Sequence, residues 1–236
     1  MPGAALAGKT ATAGDQSLAL KIGAQPPRPA SPGKGGVTLT IDVDYESLND
    51  NAQISENTKA VTLRLPKGLK LHTDRADTCK LSDMQANGES ACPDTSRIGS
   101  GSATADARPA VADPIDAGVR LYNGIDDVNP DGTPRDTPIP AVILFAHASI
   151  NVDTVLPFDI KANTLELDYA PPAPGATQLF HLQKVHLTIP KRKGSSFVTA
   201  PGKCTDKGWG FGMTIDNYDG PSVTATDRVA CKTTRS

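Results

Sequence analysis

The segment Asp127-Val-Asn129-Pro-Asp131-Gly132 sets oxygen-bearing side chains at alternate positions ahead of a glycine, the opening D-x-[DN]-x-[DN]-G of a calcium loop. Oxygen ligands so spaced can converge on a hard cation because the glycine permits the sharp turn between them. Asp127 and Asp131 would supply carboxylates, Asn129 an amide oxygen and Thr133 its carbonyl. The twelfth position is Pro138 in place of a bidentate Glu, so Asp126, Asp136 or a distant acid would have to complete the shell. Asn-Pro and Asp-Gly are also ordinary turn dipeptides. The segment therefore reads both as a weak calcium site and as a plain turn, and no other cofactor is expected.

Other chemistry has less support. Gly99-Ser-Gly101-Ser lacks the Lys and the following helix of a phosphate loop, and no G-x-S-x-G elbow presents a nucleophilic serine. Ser, His and Asp are plentiful, but no spacing selects a triad, so no catalytic residue is assigned. His181 and His186 flank an alternating segment, with His186 opposite Val185, Leu187 and Ile189, where a lone histidine is ordinarily solvated. A carboxylate pair for glycoside hydrolysis needs a separation of ~5 to 9 Å, which a sequence does not display. Trp209, Phe211 and Met213 alternate with Gly210 and Gly212. Such a row could stack a sugar, but apolar residues at period two more often face a core, and aromatics are only 4% of the chain.

Cysteine chemistry is more decisive. Cys79 lies near Cys92 and Cys204 near Cys231, with no CxxC spacing and no histidines grouped around them. Of three possible connectivities, 79 to 92 and 204 to 231 each clip a local loop, and closing a loop of ~15 residues contributes about 3 kcal/mol in the chain-entropy model. Two disulfides imply an oxidising, extracytoplasmic compartment. The opening MPGAALAGKT has no basic n-region and no long apolar h-region, while Ala5-Leu6-Ala7 has the form of a signal-peptidase site. That agrees with a mature chain carrying an added start Met, and equally with small residues at a flexible terminus.

The elements that must position these residues are strands. Only Glu46, Glu56, Glu89 and Glu166 among 26 acids are Glu; the rest are Asp, accompanied by 21 Gly and 20 Pro. Asp, Gly and Pro favour turns over helix. Val37 to Tyr45 alternates strictly, Ala60 to Leu65 repeats the period, and Pro66 with Gly68 ends it. Further strands are expected at 17–22, 119–122, 141–150, 158–169, 182–189, 196–199, 209–215 and 223–229, with Asp219-Gly220 as a tight hairpin turn. The unalternating run Ala141 to Ala146 suits a central strand covered on both faces. Leu81 to Asn87, with Gly88 at the C-cap position, is the one short helix expected, between Cys79 and Cys92. The core is expected to hold Val37, Leu39, Ile41, Val43, Val61, Leu63, Ile143, Phe145, Leu165, Leu167, Leu187, Phe211 and Ile215. This pattern predicts an all-β antiparallel sandwich of about ten strands, loosely immunoglobulin-like, although the Cys…Trp…Cys order of antibody domains is missing. Residues 1–16 are expected to be a flexible segment and 17–236 a single domain.

Charge and size limit the partners. With 24 Lys+Arg against 26 Asp+Glu the formal net charge is −2, which excludes nucleic acid held by bulk positive charge. No apolar run approaches the ~18 residues of a membrane span. A 24.6 kDa chain is large enough to bury a substantial core unaided.

From about residue 37 onward the chain resembles a loosely defined group of secreted actinobacterial all-β proteins. The resemblance is carried by LPKGL (65 to 69), ACPDTSRIGSG (91 to 101), LYNG (121 to 124), and a tail in which TAPGKC and GWGFGMTI precede a hairpin and Cys231. It implies export, two local disulfides and a β-sandwich, and supplies no catalytic residues. The leading functional expectation is a non-enzymatic exported or cell-surface protein with a structural, adhesive or assembly role, its partners a surface polymer or other subunits. The alternatives are an extracellular hydrolase of glycans or wall polymers, which an acid-lined pocket would favour, and a sugar- or lipid-binding module. A long open edge strand would favour adhesion.

Overall fold

The computed structural model describes residues 9–30, 35–47, 57–106, 114–169, 181–218 and 220–232. Along the chain run β1 (Thr10–Ala13), β2 (Gln16–Gln25), β3 (Thr38–Ser47), β4 (Thr58–Arg64), β5 (Lys70–Leu71), β6 (Cys79–Lys80), α1 (Leu81–Asn87), β7 (Arg97–Asp106), β8 (Ile115–Val128) and β9 (Pro134–Ala148). They continue with β10 (Asp153–Lys161), β11 (Thr164–Asp168), β12 (His181–Ile189), β13 (Val198–Thr199), β14 (Trp209–Asn217) and β15 (Val223–Val229). Ala5-Leu6-Ala7 and Asp219 fall outside the described residues.

The fold is all-β and mostly antiparallel, as expected, but the ten-strand sandwich requires correction. One continuous sheet runs β1-β2-β3-β12-β7-β8-β9-β10-β11-β4-β14-β15, with β6 added in parallel on β8, and β5 and β13 form a separate small pair. The last strand, β15, returns to pack on β2 and β1, so the sheet is nearly a barrel. Twisted sheets of more than ~10 strands curl rather than stay open. Alternation along a strand reports which face is buried; it does not report whether that face meets a second sheet or the far wall of the same one.

The closing seam is held by side chains. Asp227 Oδ2 accepts the Ile22 N–H at 2.6 Å and its Oδ1 accepts the Arg228 N–H at 2.7 Å, so this buried, inward carboxylate is satisfied by backbone. At one end, Gln16 Nε2 donates to the Pro221 carbonyl (2.9 Å) and Asn217 Nδ2 donates to Gln16 Oε1 (2.8 Å).

Three strand expectations also change. The 158–169 segment is a hairpin, β10 to β11, turning at Ala162 with φ 50°. Residues 97–106, where no strand is expected from the sequence, form β7 between β12 and β8. Glycine there serves close approach: a Cβ on Gly101 would lie 1.8 Å from the His186 carbonyl oxygen. The ordered sheet begins with β1 at Thr10, ahead of the strand expected from Ser17.

The expected core residues divide between two clusters. Leu39, Ile41, Leu63, Leu165, Leu167, Phe211 and Ile215 fill the barrel interior, with Val43, Val61 and Leu187 only partly buried against them. Strand β9 is covered on both faces, as its composition suggested. Val142, Leu144 and Ala146 face the interior, while Ala141, Ile143 and Phe145 face an outer lobe with Cys79, Cys92, Leu81 and Met84.

That lobe holds α1, which spans the residues expected of it, with Gly88 at φ 72° and its N–H returned to the Met84 carbonyl. Seven residues are too few for a stable isolated helix. Tertiary contacts therefore hold it: the Cys79–Cys92 disulfide, burial of Leu81 and Met84, and a cap supplied from β8. The second disulfide, Cys204–Cys231, ties the segment before β14 to the end of β15. The LYNG motif also serves the lobe: Asn123 Nδ2 donates to the carbonyls of Thr73, Ala76 and Asp77 at 2.9 to 3.1 Å, fastening the turn that leads into Cys79.

Candidate functional site

Strands β3, β4, β8 to β12 and β14 point alternate side chains into the barrel, and these leave an interior cavity of about 120 Å³. Its wall is apolar apart from Tyr45, Thr58 and Tyr169, and no charged side chain lines it among the described residues. Val43, Val61, Phe158, Val185 and Leu187 point inward yet stay partly accessible, so the cavity communicates with solvent. Tyr169 follows β11 in the inward register of Leu165 and Leu167, fixed by its N–H to the Lys59 carbonyl at 2.9 Å. Its hydroxyl has no hydrogen-bond partner among the described residues, whereas the Tyr45 hydroxyl donates to Gln16 Oε1. Burial among apolar groups pushes the Tyr169 hydroxyl up to about 12, although the residue as a whole is partly exposed.

On the outer face a second pocket of about 210 Å³ lies between α1, the β8–β9 turn and strands β10 and β11. At its base Arg135 spans two buried carboxylates, donating to Asp126 Oδ2 at 2.6 Å and approaching Asp159 Oδ2 at 3.6 Å. Asp126 Oδ1 also accepts the Val128 N–H at 3.0 Å. The Asp159 side chain is 8% exposed, and its Oδ1 has no partner. Burial, then the nearby Asp126 charge, raise the Asp159 carboxyl to about 6 against the opposing pull of Arg135. Below that value Asp159 keeps its proton beside the Asp126 carboxylate, and above it both carboxylates face the one guanidinium.

The four residues expected to bind calcium are engaged otherwise. Asp127 accepts the Ser82 N–H (3.0 Å) and the Ser82 hydroxyl (2.6 Å), capping α1 from outside the helix. Burial opposes ionisation of Asp127, but these bonds outweigh it and hold the carboxyl below its ordinary value. Asp131 accepts the Thr133 N–H and hydroxyl, Asn129 Nδ2 donates to Thr133 Oγ1, and the Thr133 carbonyl takes the Asn129 N–H at 2.7 Å. Gly132, with φ 85°, completes a self-contained hairpin turn. Among the described residues no group of three or more His, Cys, Asp or Glu side chains is placed to hold a metal.

On the outer wall, Asp42, His186 and Ser102 stand directly opposite one another on β3, β12 and β7. His186 Nδ1 meets Asp42 Oδ1 at 2.5 Å, with both side chains about half exposed. Ser102 makes no hydrogen bond to this histidine, and ladders flank all three strands, so the row lacks both an activated hydroxyl and free backbone donors for an oxyanion. Trp209, Phe211 and Met213 are buried and offer no stacking platform.

No family model, curated protein or solved structure matches the chain. Function must therefore be read from the geometry of its own residues. The outer pocket contains the acids a hydrolase would need, but both Asp126 oxygens are committed to Arg135 and the Val128 N–H, which leaves no free base beside Asp159. The sheet's terminal strands pack against each other, so the long open edge of an adhesive sheet is absent among the described residues. Among the described residues the interior cavity is a feature that no structural requirement explains.

The sequence reading missed Tyr169, Asp159 and Arg135. Asp159 carried a signal, since it is an acid between Phe158 and Ile160 within a strand pattern; so did Arg135, the lone cation in the acidic stretch from 126 to 136. Tyr169 carried none, because the turn at Ala162 that sets its register is invisible in the residue types.

Proposed function

We propose that the protein is a non-enzymatic, exported barrel that holds a small apolar ligand in its interior. The observation that carries this reading is the 120 Å³ cavity, walled by apolar side chains of which several remain accessible. Well-packed interiors keep few voids larger than a water molecule, whereas an engineered apolar cavity of ~150 Å³ stays dry and takes up benzene. A ligand contributing on the order of six carbons would gain about 5 kcal/mol of transfer free energy, which places affinity in the sub-millimolar range. Export is supported by the two disulfides, and the same disulfides accord with membership of the secreted actinobacterial group. No helix among the described residues is long and apolar enough to cross a membrane.

The test is uptake of benzene, followed by calorimetric titration of the folded protein and of Val185→Phe, which fills the cavity from β12. Binding should saturate at one site and weaken at least tenfold in the variant. Uptake that is unchanged in Val185→Phe would place the probe on the surface and refute the interior site.

A further inference from the structure

We propose that the outer pocket between α1 and strands β10 and β11 binds a small primary alkylammonium ion, whose charged head hydrogen-bonds to the Asp159 carboxylate. This site is distinct from the interior cavity: Asp159 lies on the outward face of β10, whereas Phe158 beside it lines the cavity.

Three buried side-chain oxygens lack a hydrogen-bond partner among the described residues, and that of Asp159 is the only one on a carboxyl group. The Asp159 side chain is 8% exposed and lines the pocket. Arg135 does not serve it as a donor. Its Nη2 is committed to Asp126 at 2.6 Å and its Nε to the Val128 carbonyl at 3.0 Å, and it stays 3.6 Å from the other Asp159 oxygen. While Asp159 is protonated the carboxyl is neutral, but once ionised, above about pH 6, it is a buried charge short of donors. Such a charge is costly until a partner arrives. A primary ammonium brings three donors and the opposite charge.

The surroundings select a cation with a carbon stem. Asp126, Asp159, Glu166 and Asp168 line the pocket against the single cation Arg135, and α1 adds only the uncharged Leu81 and Gln85. Glu166 stands directly opposite Asp159 across the β10–β11 ladder, a like-charge pairing that is unfavourable on its own. Lys161 and Thr164 engage Glu166 from the side, and neither reaches the free Asp159 oxygen. Leu81, Val128 and Val155 supply apolar wall, which a stem can cover and a metal ion cannot. A volume of about 210 Å³, set against the ~150 Å³ that holds one benzene, limits that stem to a few carbons.

The test is calorimetric titration of the full chain with n-butylammonium at pH 8 and pH 5, with 1-butanol as the neutral control, repeated on Asp159→Asn and Gln85→Trp. Asparagine removes the charge at nearly unchanged size, and tryptophan covers the pocket from the exposed Gln85 position without altering an acid. At pH 8 the parent should bind one n-butylammonium at least tenfold more tightly than 1-butanol, and each variant should weaken it at least tenfold. Because Asp159 titrates at about 6, parent affinity should fall about tenfold from pH 8 to pH 5, while the amine itself stays charged. Asp159→Asn should lose that difference, which separates Asp159 from Asp126, Glu166 and Asp168 as its source. Equal binding of 1-butanol, no saturable binding of n-butylammonium at pH 8, or an affinity unchanged in Asp159→Asn overturns the site. An affinity indifferent to Gln85→Trp places the ion outside the pocket and overturns it as well.

Discussion

Replacing Asp159 with Asn should abolish most of a pH dependence that the Asp126–Arg135–Asp159 cluster imposes on stability. The Asp159 carboxyl titrates at about 6 in the folded chain against an ordinary 3.8. Because the folded value is raised, the folded state holds this proton more tightly. The stabilisation is complete below about pH 3.8 and is lost as pH rises through 6. A gap of about two pH units, at ~1.4 kcal/mol per tenfold, amounts to about 3 kcal/mol. No large discount for solvent screening applies, since the Asp159 side chain is 8% exposed. Asparagine is neutral at every pH and can donate to Asp126 as the protonated acid does. Urea unfolding at pH 4, 6 and 8 should show the parent losing stability relative to Asp159→Asn by about 3 kcal/mol from the lowest to the highest pH. Parallel curves for the two proteins, or a parent that gains on the variant with rising pH, would refute this account.

Asp227→Ala should destabilise by about 1 to 3 kcal/mol, because it strands the buried Ile22 N–H at the seam. Thermal melting checks this, and an unchanged midpoint would mean that water replaces the carboxylate. Reducing the disulfides should lower stability by about 3 kcal/mol for Cys79–Cys92 and about 3.5 kcal/mol for Cys204–Cys231, from loop lengths alone. Peptide mapping without reductant should recover those two pairs and no cross-pair. Millimolar calcium should leave the melting temperature unmoved, since the loop oxygens are already used within the turn and at Ser82. Asp127→Ala should nonetheless cost about 1 kcal/mol by uncapping α1. A calcium-induced rise that disappears in Asp127→Ala/Asp131→Ala would instead establish the metal site.

How far the sequence could be read depended on whether a feature was local. The helix from Leu81 to Asn87 was legible because Gly88 and the preceding apolar residues encode it within eight positions. The last strand, Val223–Val229, was legible from its alternation. β7 was not, because Gly99 and Gly101 weaken a strand locally and make sense only once β12 presses against them. The calcium reading shows the same limit. Asp127, Asn129 and Asp131 are spaced as ligands, yet Asp127 was claimed by Ser82, 45 residues earlier in the chain. The cavity was hidden for a related reason: Val43, Val61 and Leu187 were recognised as inward, but no property of their sequence tells a filled interior from one left partly empty.

The seam between Ile22 and Asp227 joins residues 205 positions apart. A chain emerging from a ribosome or a translocation channel can form its hairpins as they appear, but the ring cannot shut until the last strand arrives. Contacts of such long range slow folding and leave strand edges exposed in the meantime. The nearly complete sheet, lacking only β15, would be an open trough with its apolar face uncovered. Any shortening of the C-terminus that removes Asp227 should therefore affect the molecule far beyond its last strand, turning a closed container into a sticky surface that depends on a chaperone until synthesis is finished.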